Sequence, residues 1–143
     1  FLISVLEPNA LEDTDLVVGF EQLYVFGYPY GWYDKLHNLP VVRIGHLSSP
    51  YKVPFHGLPI NLADVETHKG MSGSPVLIHI SNVRKQTENG MNIELGTWRY
   101  ILLGVYSGQP IIEGPDDKGK NVSIPHSLSV VWFGELIQDI ISR

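Results

Sequence analysis

Six residues in this chain have types and spacing that could do chemistry together: Gly70-Met71-Ser72-Gly73-Ser74-Pro75, at the mouth of the apolar strand that ends the stretch "THKGMSGSPVLIHI", Thr67 to Ile80. A serine hydroxyl is a weak nucleophile at neutral pH. To attack a carbonyl it needs a neighbouring base to take its proton, and preorganised donors about 3 Å from the oxyanion that forms. Backbone N–H groups supply such donors where the chain is tightly turned. A glycine shortly before the serine permits the turn, and a glycine just after it leaves room for a substrate. In this arrangement Ser72 is the candidate nucleophile, the N–H groups of Gly70 and Ser72 are the candidate oxyanion pair, and Ser74 is a packing residue. The competing reading is a plain Gly/Ser turn between strands, because serine and glycine are also common turn formers.

A base must be sought among six histidines, His37, His46, His56, His68, His79 and His126. His68 lies four residues before Ser72 and His79 falls in the strand after it, but a surface or hydrogen-bonded structural role is the expectation for each. None has the paired spacing of a zinc site, so no metal is expected. The clustered carboxylates Glu12, Asp13 and Asp15 read as a solvated acidic stretch, and "PDDKG" at Pro115 to Gly119 as a solvated turn. "NVS" at Asn121 matches a glycosylation sequon by the three-residue rule alone. The aromatics Trp32, Tyr33, Trp98 and Trp132 are expected to pack in the core.

The elements that must position this loop can be read from the rest of the 143 residues. Hydrophobic residues are 43% and charged residues 17%, with 14 glycines and 10 prolines, a balance that fits one globular, turn-rich, β-leaning domain and excludes a disordered chain. The net charge of −5 provides no basic face for nucleic acid. The absence of cysteine removes disulfides, thiolate metal sites and cysteine nucleophiles, and fits a soluble bacterial cytoplasmic setting. No apolar run approaches the roughly 20 residues that span a bilayer, so no membrane partner is expected. Phe1 is not an initiator Met and "FLISVL" opens without a cap or turn, which gives the chain the look of a piece of something longer.

Short runs rich in Val, Ile and aromatics recur along the sequence: "FLISVL" (1–6), "QLYVFGY" (22–28), "PVVRIGHL" (40–47), "LPINLA" (58–63), "SPVLIHI" (74–80), "RYILLGVYS" (99–107) and "LSVVWF" (128–133). Turn signals such as "GYPYG", "LSSPY", "ENG" and "EGPDDKGKN" separate them. Six or seven such strands predict an antiparallel barrel or sandwich. In "FGELIQDIISR" the residues Leu136, Ile137, Ile140 and Ile141 fall at helical spacing, predicting a terminal amphipathic helix with one face on the barrel. The acidic segment 7–15, "EPNALEDTD", reads as a linker.

"GMSGSP" resembles the G-x-S-G-[GS]-P motif of trypsin-like (chymotrypsin-fold) serine peptidases. The flanks extend the likeness from Leu11 onward. "GYPYGWYDKLHNLPVVRIGHLSSPY" is similar to the glycine-proline turn and next strand of bacterial members, and "INLADVETHKGMSGSPVLI" to their approach to the serine. "ILLGVYSGQP" is similar to the strand that receives the substrate backbone, and "LSVVWFGELIQDII" to the closing strand and C-terminal helix.

This resemblance implies an all-β, trypsin-like antiparallel β-barrel, mainly the C-terminal barrel of a two-barrel fold, with a C-terminal α-helix. It divides the chain into a tail of the first barrel and inter-barrel linker (1–15), a second barrel with the serine loop (16–132) and the helix (133–143). The implied activity is endopeptidase chemistry through an acyl-enzyme on Ser72, with peptide or protein as substrate and no cofactor. In this family the triad runs His, Asp, Ser, with His and Asp on the first barrel. Those two lie outside this sequence, or Phe1 stands in the aspartate's place, so a missing N-terminal barrel is an implied partner. The chain alone is expected to hydrolyse peptides poorly or not at all. Glu66, Thr67 and His68 resemble the residues lining the side-chain pocket, and Tyr106, Ser107 and Gly108 those of the substrate strand. Met71 stands where secreted digestive members carry an aspartate that receives a new N-terminus, so that switch is expected to be absent. Two rivals stay open: a non-catalytic trypsin-like module that binds peptides or proteins by strand addition near Tyr106 to Gly108, and an unrelated β-sandwich in which "GMSGSP" is only a turn.

Overall fold

Apolar side chains turned inward are what make these strands one wall of a barrel. In the computed structural model, which describes residues 20–87, 90–110, 112–115, 119, 121–124 and 127–143, strand β1 (Gln22–Gly27) turns Leu23 and Val25 inward and Gln22, Tyr24 and Phe26 outward. Strands β2 (Val41–Leu47), β3 (Ile60–Asp64), β4 (Pro75–Thr87), β5 (Gly90–Gly108) and β8 (Leu128–Phe133) join it in a closed antiparallel barrel of order β1-β2-β3-β8-β5-β4. Closure leaves no long open edge among these six strands. Strands β6 (Ile112–Pro115) and β7 (Asn121–Ile124) pair with each other outside the barrel. The seven-residue helix α1 (Glu135–Ile141) follows β8.

The interior is filled by Leu23, Val25, Leu47, Ala63, Val65, Met71, Val76, Ile78, Ile80, Ile101, Leu103, Tyr106 and Val131. Full burial of each large aliphatic contributes about 1.5–3 kcal/mol relative to leaving it in water. Three of these residues, Val65, Met71 and Tyr106, are also the roots of the serine loop and of the strand end beside it. The loop therefore stands on the same core that holds the barrel closed.

The structure departs from the sequence reading in four places. The β4–β5 hairpin runs on past Ile80 and starts before Arg99, with pairing that continues to Thr87↔Gly90. Beyond Ile80 the first arm, "SNVRKQT", has a single apolar residue, Val83, and does not announce a strand, although Met91, Ile93 and Leu95 on the returning arm do alternate. Around "PDDKG" the chain forms the β6–β7 ladder, where the sequence showed only a turn. Helix α1 does not lay a full apolar face on the barrel: Leu136 and Ile137 are half-buried, but Ile140 and Ile141 are exposed. Seven residues make barely two turns, so only the first turn reaches the barrel wall. Finally, Trp32 and Tyr33 are not core residues; they are 77% and 42% exposed, and Trp132, at 36%, points outward from β8. The expected strand at 1–6 and linker at 7–15 lie outside the described residues, as do His126 and the acidic pair of "PDDKG".

Helix α1 is tied to the rest by an ion pair between Glu135 and Lys52. Tyr51, beside them, packs against the core. Burial, with the Glu135 carboxylate as a second cause, pushes the Tyr51 phenol up to about 12 from its usual 10.0. The folded state then holds the phenolic proton more tightly than the unfolded chain. Tyr51 contributes stability in full below about pH 10, and that contribution is lost as the pH rises towards about 12. Urea midpoints measured from pH 9 to 12 are expected to fall more steeply for the wild type than for Tyr51→Phe. Parallel curves would contradict this assignment.

Candidate active site

Between β3 and β4 the chain alternates between core and solvent, and this alternation builds the loop. Val65, Thr67, Met71 and Ser74 point into the protein, whereas Glu66, Lys69, Gly70, Ser72 and Gly73 are exposed. Met71, fully buried, is the stake that holds the turn down. Ser72, next to it, is forced outward.

Gly70 and Gly73 adopt φ of +95° and +88°, in the region that side chains disfavour. At Gly70 the need is double, because a Cβ there would lie 2.8 Å from the Tyr28 carbonyl oxygen. The N–H groups of this turn fall into two sets. Met71 N–H donates to the His68 carbonyl (3.2 Å), Gly73 N–H to the Tyr106 carbonyl (2.8 Å) and Ser74 N–H to the Met71 carbonyl (3.0 Å). The two between and before them, those of Gly70 and Ser72, donate to no acceptor among the described residues. Two free amides beside an exposed hydroxyl are the donor set an oxyanion requires.

Ser72 Oγ donates to the carbonyl of Ser107 at 3.3 Å. No histidine or carboxylate among the described residues is hydrogen-bonded to it. His68 is turned away: its ring stacks on Tyr30, with centroids 5.4 Å apart and planes 25° apart, and its Nε2 is 3.8 Å from Glu66 Oε1. His79 sits between the rings of Tyr24 and Tyr100 on the outer wall. His46 and His56 are exposed, and His37 Nδ1 pairs with Asp34 Oδ2 at 2.7 Å in an exposed turn. That bond holds the Asp34 carboxyl below its usual range, helped by the Leu36 amide.

The remaining candidate residues divide between site and scaffold. Thr67 Oγ1 donates to the Tyr106 hydroxyl at 2.7 Å and lies 3.2 Å from Ser129 Oγ, which donates to the Val65 carbonyl at 3.1 Å. All three side chains are buried, so Thr67 and Tyr106 form a polar strut that joins the loop to β5 and β8. Such a strut favours one arrangement of the loop, since any shift would leave buried hydroxyls unpaired. The backbone of Tyr106 is also occupied, by Gly73 N–H and by the Ser74 carbonyl. Ser107 is exposed and Gly108 half-buried at the end of β5, where the described ladder continues only on the β8 side. Glu66 is 74% exposed and held by Arg43, whose Nη2 donates to Oε2 at 2.5 Å and whose Nε donates to the Glu66 carbonyl at 3.0 Å. Its charge is directed at Arg43 on β2.

One part of the site was not singled out from sequence. The short 3₁₀ turn Pro29–Gly31 braces the serine loop, with Tyr30 N–H donating to the Lys69 carbonyl at 2.7 Å. "GYPYG" announced a turn, but its partner, 39 residues away at Lys69, could be found only in three dimensions. No group of three or more His, Asp or Glu suited to hold a metal ion occurs among the described residues, and no helix among them is long and apolar enough to cross a membrane. Compared with protein-family models, with curated proteins and with solved structures, the chain matches none of them.

Proposed function

We propose that this chain is the serine-bearing barrel of a trypsin-like serine endopeptidase. The observation that carries the reading is the exposed Ser72 hydroxyl on a turn whose Gly70 and Ser72 amides are without acceptors among the described residues, while those of Met71, Gly73 and Ser74 are used. In this reading Ser72 Oγ attacks the scissile carbonyl and its proton passes to a base. The carbonyl oxygen, now negative, sits on the two amides, and the peptide C–N bond breaks as the base returns the proton to the departing amine. Water then releases the acyl group by the same route. The base and its orienting carboxylate belong to a first barrel with His and Asp, which this sequence does not contain. The acyl half of the peptide lies along Ser107 and Gly108. The experiment is covalent labelling of Ser72 by a fluorophosphonate, with Ser72→Ala as control.

A second reading has one observation in its favour. The Ser72 proton is directed at the Ser107 carbonyl and no base among the described residues is hydrogen-bonded to Ser72, as expected of a non-catalytic trypsin-like module that binds peptide along the Ser107–Gly108 edge. Peptide binding to a protein whose Ser72 takes no label would select it.

A further inference from the structure

Exposed aromatic residues are concentrated beside the serine loop. Tyr28, Tyr30, Trp32 and Tyr33 are 45%, 71%, 77% and 42% exposed within six positions. Burying any of these rings would be favourable, so four left in water together mark a surface that meets something. They are also ordered relative to one another: Tyr28 and Tyr33 meet edge to face at 6.0 Å. Two adjoining depressions open on this segment, one lined by Tyr28, Gly31, Tyr33 and Asn38, the other by Gly31, Trp32, Tyr33 and Lys35.

The position of this segment relative to Ser72 gives it a role. On one side of Ser72 lies the end of β5, where Ser107 O accepts from Ser72 Oγ. The aromatic turn flanks the loop through Lys69 and Gly70: Tyr30 N–H donates to the Lys69 carbonyl, the Tyr30 ring stacks on His68, and only the missing Cβ of Gly70 lets the Tyr28 carbonyl approach. A peptide that lies along Ser107–Gly108 and crosses Ser72 leaves over this turn. The turn that carries the rings thus touches the serine loop at His68, Lys69 and Gly70.

Resting on the peptidase reading, we infer that the segment 28–35 binds the leaving-group half of the substrate, and that it selects peptides with an aromatic residue followed by an acidic one after the scissile bond. A flat ring seats on Trp32 and Tyr33. Lys35, which forms no ion pair among the described residues, supplies the charge for the acidic neighbour. Stacking of a ring on exposed aromatics adds to the gain from burying its area.

The test is titration of the 143-residue chain with three peptide amides, Ala-Phe-Glu-Ala, Ala-Phe-Lys-Ala and Ala-Ala-Ala-Ala, followed by two-dimensional NMR. Ala-Phe-Glu-Ala amide is expected to bind at least tenfold more tightly than the alanine peptide, to shift the Trp32 indole N–H, and to lose at least tenfold in affinity in Trp32→Ala. Lys35→Glu is expected to reverse the order of the Glu and Lys peptides. Mapping on the wild-type chain keeps the test decisive if Trp32→Ala fails to fold. Equal binding of the three peptides, or shifts that bypass Trp32, would overturn the inference while labelling of Ser72 still upheld the peptidase reading. Selective binding at Trp32 by a protein whose Ser72 takes no label would uphold the ring surface and remove the catalytic reading alone.

Discussion

Gly104→Ala is expected to destabilise the barrel severely. A Cβ at Gly104 would lie 1.7 Å from the Trp132 carbonyl oxygen, 2.8 Å from its carbon and 3.1 Å from Gly134 N. All three atoms are backbone, so no rotamer change can relieve the overlap. They belong to the seam that closes the barrel, where Gly104 pairs with Phe133 and Gly134 N–H donates to the Leu103 carbonyl at 2.9 Å. Overpacking a well-filled interior typically costs 1–3 kcal/mol, and a clash against backbone belongs at or above the top of that range. We expect a loss of more than about 3 kcal/mol from a total that for domains of this size is about 5–15 kcal/mol. Urea unfolding followed by circular dichroism checks it. A midpoint equal to that of the wild type would mean that β5 and β8 do not approach as described.

Gly70→Ala is expected to separate chemistry from folding. The methyl group would have to sit at φ +95° and 2.8 Å from the Tyr28 carbonyl. The exposed loop can shift to relieve this for roughly the 1–2 kcal/mol that a disfavoured φ costs, leaving the barrel intact. The shift turns the Gly70 amide away from Ser72. Loss of one oxyanion donor lowers the rate of acyl transfer by about 10²–10³. The rate of Ser72 phosphonylation is expected to fall by that factor, with the urea midpoint displaced only slightly. A labelling rate unchanged from the wild type would remove Gly70 from the oxyanion pair.

Much of this architecture was legible because short runs rich in Val, Ile and aromatics have a physical cause: their apolar side chains fill the barrel. The runs at 22–28, 40–47, 58–63, 74–80, 99–107 and 128–133 are of this kind, and each is a barrel strand. The outer half of the β4–β5 hairpin, whose ladder runs on to Thr87↔Gly90, was not read as a strand because "SNVRKQT" carries a single apolar residue, Val83. Trp32 and Tyr33 mislead for the opposite reason. Large rings are buried in most contexts, yet these follow the turn Pro29–Gly31, which leaves the residues from Tyr30 to Leu39 exposed. At the site, the two glycines around Ser72 pointed to the turn geometry directly. The strut of Thr67, Tyr106 and Ser129 could not be read in this way, because its members are 39 and 62 residues apart in sequence and become partners only when β5 and β8 close the barrel.

The proposed function requires Ser72 to be a nucleophile with its oxyanion donors in place. It is tested most directly by fluorophosphonate treatment of the protein isolated from its source cells, with intact-mass measurement and peptide mapping, beside the Ser72→Ala variant expressed in the same cells. One adduct is expected, on Ser72 and absent from the variant, in a polypeptide or complex that also supplies a His–Asp pair. Labelling is expected to be at least about a thousandfold slower for the 143-residue chain alone, as when a serine loses its base. An adduct that persists in Ser72→Ala, or none on Ser72 in the protein from its source, would rule Ser72 out as the nucleophile.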